Sequence, residues 1–195
     1  MSTALLARIG AVAAVLSFAA QGVQAHPSAM ITGARTSQPI GHYEFCQRFA
    51  DECAIRPVDQ SMHPASLAFL RELDALTKAI NAQVKPVSDK ELYGQEEYWT
   101  YPTDAGDCED YALEKQRILS QRGVSRANLL ITVVRRLTGD GHAVLTVRTD
   151  AGDFILDNLN DAVRPWDETE YTYLKRQAST HSGRWGDIED GHSEP

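Results

Sequence analysis

Cys108 lies in the segment GDCEDYA, at what reads as the first position of a helix running to about Gln121, with Asp107 as N-cap and Gly123 as C-terminal stop. Unpaired backbone N–H groups and the positive end of the helix dipole favour a thiolate at such a position. The same N–H groups can hold an oxyanion during acyl transfer. The neighbours Asp107, Glu109 and Asp110 oppose this, because like charge beside a thiol disfavours its ionised form. Two arrangements reconcile the conflict. The carboxylates are consumed as a cap and as partners of the helix dipole, or a bound cation neutralises them. Three carboxylates within four residues suit a hard cation such as Ca²⁺, but the spacing is not that of an EF-hand loop. On residue types alone a plain acidic helix start is the better reading.

His142 opens a β-branched, alternating run, His142–Thr149, just after the turn Thr138-Gly139-Asp140-Gly141. A lone histidine is more often structural than catalytic. A free cysteine at a helix start with a histidine downstream on a strand is, however, the layout of a nucleophile and its base. Asp157 ends the next run, Asp153–Asp157, and can orient the imidazole as third member. Side chains alternate along a strand, so His142 shares a face with Val144 and Thr146, and Asp157 with Ile155 and Asp153. The two sets coincide if Arg148 stands opposite Asp153, which makes Asp157 a diagonal neighbour of His142 at roughly 7–8 Å between backbones. A register shifted by one residue puts them on opposite faces.

Other elements must position these groups. From Pro64 to about Val84, Leu67, Leu70, Leu73, Leu76, Ile80 and Val84 recur at three- and four-residue steps, one face of an amphipathic helix that Pro86 ends. Leu129–Leu137 is a further strand-like run. The order helix, strand, hairpin, strand gives an α+β layout, an antiparallel sheet packed on a helix. Ser88–Gly106 holds the aromatics Tyr93, Tyr98, Trp99 and Tyr101 without clear periodicity. Tyr98 or Trp99 lines a cleft or simply packs, and Asn158 supports either Asp157 or the turn. His26–Gly41 reads as an extended arm. From about Ser179 the chain is polar, and its last residues are expected to be loose.

The first 25 residues contain no Asp or Glu, one basic residue (Arg8), an apolar run from Ile9 to Ala20, and Val23-Gln24-Ala25 ahead of His26-Pro27. That is the pattern of a cleaved signal peptide, and the run falls short of the roughly 20 residues of a membrane span. The expected organisation is a signal peptide over 1–25, an N-terminal arm over 26–63, and a catalytic domain over 64–195 with its core at about 88–178. The mature chain is expected to be periplasmic or secreted. It carries 18 basic and 27 acidic side chains, a formal charge of −9, which with no basic run excludes a nucleic-acid binder. Hydrophobic residues at 43% and charged residues at 24% fit a folded core. Of three cysteines, Cys46 and Cys53 in FCQRFADEC are close enough for a local disulfide, which leaves Cys108 over. Three reduced, buried thiols are the alternative.

The strings GDCEDYALEKQRIL, LLITVVRR, GHAVLTVRTDAGDFILDNLND and VRPW together resemble the bacterial transglutaminase-like cysteine proteinases, relatives of the LapG-type periplasmic proteases. The likeness extends upstream to FCQRFADEC and YWTYPTD. It implies a papain-like or transglutaminase-like core with the cysteine on a helix and the histidine and aspartate on the sheet. Carried over, Cys108 is the nucleophile, His142 the general base and acid, and Asp157 its orienter. LapG-type members bind calcium through acidic residues flanking the nucleophile, which maps onto Asp107 and Glu109, with Asp110 as a further candidate. Those proteases cut a large surface adhesin and are restrained by a membrane receptor that senses cyclic-di-GMP. For this chain the resemblance implies a monomer with a protein or peptide substrate, and leaves room for a membrane-bound regulator. The competing readings are an amidase or acyl transferase on a peptide or cell-wall amide, and a calcium-dependent binding module that does no chemistry.

Overall fold

The computed structural model describes residues 28–54 and 58–189, so the expected signal peptide lies outside it. In chain order the elements are β1 (Ile31–Thr36), α1 (Ile40–Arg48), α2 (Ala50–Cys53), α3 (Leu67–Gln83), β2 (Lys85–Pro86), α4 (Asp89–Tyr93), β3 (Ala105–Gly106), α5 (Cys108–Gln121), β4 (Leu129–Arg135), β5 (Gly141–Thr149), β6 (Gly152–Leu156), β7 (Arg164–Pro165), β8 (Thr172–Ala178) and β9 (His181–Glu189). Seven strands form one sheet in the order β1-β9-β8-β4-β5-β6-β7, every neighbour antiparallel. The architecture is α+β, with α5 packed on β4 and β5.

α3 begins at Leu67 rather than at Pro64, because the Ser66 side chain accepts from the Phe69 N–H at 3.1 Å. Its buried stripe is Phe69, Leu73, Leu76 and Ile80, while Leu67 is exposed. α5 buries Tyr111, Ala112, Leu113 and Leu119 in the same core, where they meet Leu129 and Ile131 of β4 and Leu145 and Val147 of β5. The alternate residues Val134, Val144 and Ile155 form a second cluster with Met30, Trp166 and Tyr173. The sheet is thus apolar on both faces.

The register of the β5–β6 hairpin pairs Arg148 with Asp153 and Leu145 with Leu156. This is the pairing that places His142 and Asp157 on one face. β8 lies between β4 and β9, and its buried Arg176 meets the buried Asp153 at 2.6 Å. Asp153 also accepts from the Met30 N–H at 3.0 Å, which ties the start of the described chain to the sheet.

The stretch after Ser179 departs from the sequence reading. It forms β9, an interior strand between β1 and β8. Trp185 explains why: it is 1% exposed and belongs to the main core, although its neighbours are polar or small. The residues beyond Glu189 lie outside the described part. We predict that Trp185→Ala costs about 3–5 kcal/mol in urea unfolding. A loss below about 1 kcal/mol, typical of a surface change, would mean that β9 contributes little to the core.

Candidate active site

Cys108 is the first residue of α5, half-buried and free, while Cys46 and Cys53 are joined by a disulfide. The Ala143 N–H of β5 is directed at the Cys108 sulfur. The thiol itself donates to Glu109 Oε2 at 3.1 Å. Burial, and after it the Glu109 carboxylate, push the Cys108 thiol well above its ordinary pKa. Gly106, at the head of the motif, has a steric reason: a Cβ there would lie 2.5 Å from Asp110 Oδ2.

His142, next to Ala143, is buried, and its Nε2 donates to Asp157 Oδ1 at 2.8 Å. The other ring nitrogen, Nδ1, is left for a further partner. Burial alone would raise the Asp157 carboxyl, but the hydrogen bond and charge of His142, with the Leu159 N–H and the Tyr171 hydroxyl, outweigh it and hold its pKa down. Tyr171 donates to Asp157 Oδ2, and its ring packs 5.5 Å from the imidazole. Nothing in the sequence marks Tyr171, which stands just ahead of β8.

The carboxylates differ from the sequence expectation in two respects. The group whose oxygens converge, all within 4.8 Å of one another, is Asp89, Asp107 and Glu109. Asp110 is not part of it, because its Oδ1 accepts from the Thr100 N–H at 2.8 Å. Asp107 occupies the N-cap position of α5 but makes no side-chain cap bond; its Oδ2 accepts instead from the Asp89 N–H at 3.0 Å. Asp89 comes from the first residue of α4. The short parallel pair β2–β3 aligns Pro86 with Gly106, and the Val87 N–H donates to the Gly106 carbonyl at 3.0 Å. That ladder brings Asp89 beside Asp107.

Asp89, Glu109 and Asp110 are buried and Asp107 is half-buried, without enough donors. Asp89 is fully buried and accepts from the Tyr98 N–H through Oδ2, while Asp89 Oδ1 and Asp107 Oδ1 have no hydrogen-bond partner among the described residues. Burial, with Asp107 close by, raises the pKa of both Asp89 and Glu109, and Asp110 is raised to about 8, mainly by burial. Orphaned, oxygen-only donors in this arrangement fit a hard divalent cation. Trp99, by contrast, lines no cleft: it is 2% exposed and packs edge-on against His42 at 5.5 Å. Tyr98 lies under the Arg48 guanidinium, 4.1 Å from ring centroid to Cζ. The Asn158 side-chain oxygen has no hydrogen-bond partner among the described residues.

The sequence profile of the family described as bacterial transglutaminase-like cysteine proteinase, BTLCP, matches residues 32–193. The chain belongs to this family. It is a cysteine-type peptidase, and a protein or peptide is its class of substrate. Among solved structures, this BTLCP chain is similar to calcium-bound LapG of Legionella pneumophila, with 21% identity over 78% of this chain and 83% of that one and a TM-score of 0.52. EGTA-treated LapG of the same organism is also similar, with 22% identity, 72% and 83% coverage, and a TM-score of 0.47. The likeness to the calcium-bound form concerns the fold of the peptidase alone, a transglutaminase-like core. No curated protein matches the sequence.

Asp110 offers a test of the electrostatics. As pH rises from about 4, its carboxyl ionises in the unfolded chain first, while the folded protein holds the proton up to about pH 8. The folded state therefore loses stability relative to the unfolded one across that window. Asp110→Asn keeps the oxygen facing Thr100 and removes the titration. With chelator present, its stability relative to wild type should grow by at least about 1 kcal/mol between pH 5 and pH 8 in urea unfolding. A constant difference would refute the buried, proton-holding Asp110.

Proposed function

We propose that this peptidase hydrolyses an amide bond in an envelope or surface protein through Cys108, His142 and Asp157, with calcium held by Asp89, Asp107 and Glu109. The observation that carries the reading is the buried 2.8 Å contact from His142 Nε2 to Asp157 Oδ1, one residue from the backbone N–H that faces the Cys108 sulfur. His142 Nδ1 takes the thiol proton, and the Cys108 thiolate attacks the amide carbonyl carbon. Backbone N–H groups at the start of α5 hold the oxyanion. His142 returns the proton to the leaving amine as the C–N bond breaks. It then deprotonates a water that hydrolyses the thioester and regenerates the thiol. Asp157 keeps the imidazole in the tautomer this sequence requires and stabilises the imidazolium.

The cation-free site opposes the first step, because Glu109 holds the proton on sulfur. Calcium, when bound, supplies the positive charge that offsets these carboxylates. The oxygen-only set of Asp89, Asp107 and Glu109, with two orphaned buried oxygens, supports the assignment, and the similar fold of LapG is known in a calcium-bound form. The first 25 residues, which read as a cleaved signal, support an exported, periplasmic or secreted location. Among the described residues, no helix is long and apolar enough to cross a membrane.

The test is alkylation of Cys108 by iodoacetamide against pH, with calcium or with chelator. With calcium, wild type should show an apparent thiol pKa below the ordinary value, returning toward about 8.5 in His142→Ala. With chelator, wild type should react at least about tenfold more slowly at neutral pH. A slow thiol indifferent to both His142→Ala and calcium would point to a fold kept for binding. Asp89→Asn should weaken calcium binding in isothermal titration. Chelator-treated protein that gives no calcium heat yet keeps full thiol reactivity would sink the calcium assignment.

A further inference from the structure

Lys115 is fully buried in α5, and its Nζ donates to the Asp157 main-chain carbonyl and to Asn81 Oδ1 of α3, each at 2.9 Å. It lies seven residues after Cys108, two turns along the same stripe of the helix and about 10 Å away. Asn81 Nδ2 already donates to the same Asp157 carbonyl at 2.9 Å and to Asp161 Oδ1 at 2.9 Å. The carbonyl is therefore satisfied without the lysine. An ammonium with no exposure is costly, and burial lowers its pKa to about 7 even though Asp157 and Asp161 work to raise it. The Tyr111 ring lies 5.7 Å from Nζ.

We infer that Lys115 is a positioning residue for the Asp157–His142 pair, fixing the Asp157 main chain to the helix that carries Cys108. The inference rests on the triad reading above. Asp157 stands just past the end of β6, beyond its ladder with β5. Its carboxylate is set from one side by His142, Leu159 and Tyr171. Lys115 and Asn81 set its main chain from the other, against α5 and α3. One rigid helix thus refers both the sulfur and the orienting aspartate to the same frame, and small displacements in such a frame cost rate steeply.

Lys115→Met keeps the length and fills the space without a charge, a type of exchange that buried ionic sites often tolerate in stability. Two readouts are taken on calcium-loaded protein at pH 7.5: the iodoacetamide rate of Cys108, and the downfield proton NMR signal of His142 Nε2–H, identified by its loss in His142→Ala. Lys115→Met should slow alkylation on the order of tenfold and shift or broaden the downfield signal. In an Asp157→Ala background the same change should have no further effect, since a residue acting through Asp157 has nothing left to act on. A wild-type rate and signal in Lys115→Met overturn the inference, whatever happens to the melting temperature. Slowing that simply adds to that of Asp157→Ala overturns it as well. If Lys115→Met does not fold, Lys115→Gln, a neutral donor one bond shorter, takes its place with the same expected and overturning results. Failure of the triad reading is distinct: there His142→Ala itself leaves the alkylation rate unchanged.

Discussion

The carboxylates of Asp89, Asp107 and Glu109 converge within 4.8 Å of one another, and none can ionise without raising the energy of the other two. They crowd the start of the helix whose dipole would otherwise favour a thiolate at Cys108. Helix dipole and Ala143 N–H pull the sulfur toward ionisation, while burial and Glu109 push it back, and the push is the larger. The His142–Asp157 pair lies on strands whose register is fixed by apolar residues on both faces, so its geometry does not depend on the acids. The acids lie on segments joined by a two-residue ladder.

How much of this was legible in the sequence depends on whether a residue acts within its own element. The bounds of α5 are readable because capping, apolar spacing and the stop at Gly123 all lie inside fifteen or so residues. The hairpin carrying His142 and Asp157 is readable for the same reason: alternation and a short turn leave two registers, and Arg148 opposite Asp153 is one of them. Asp89 is not readable. It reaches Asp107 through a parallel pairing too short to leave a periodic signal, and Asp110 looks the better candidate until its oxygen is seen on Thr100.

The same limit explains the other differences. Tyr171 and Lys115 act on Asp157 across the fold, from positions whose own surroundings in the chain are unremarkable. Trp99 sits in a run of aromatics that resembles a cleft lining, but it turns inward against His42 and Gly41, where a Cβ on Gly41 would come within 2.3 Å of the indole. β9 is hidden by its polar residues. Its one fully buried large side chain, Trp185, packs in the main core, and Ile188 packs against the second cluster.

The Cys46–Cys53 bridge has a practical bearing on how such a peptidase is handled. It joins α1 to α2 across seven residues, and Phe45 of α1 packs at 4.8 Å on Phe49, the residue between the two helices. Reducing agents, the usual means of keeping a catalytic thiol from oxidising, also open bridges of this kind. The chain therefore places opposite redox demands on its three cysteines: one must stay reduced while two stay joined. Because the bridge leaves Cys108 as the sole thiol, a thiol reagent titrated against the oxidised protein counts the proposed nucleophile one for one. Each bridge opened by reductant adds two further equivalents, so half of the excess over one measures the fraction of bridge lost.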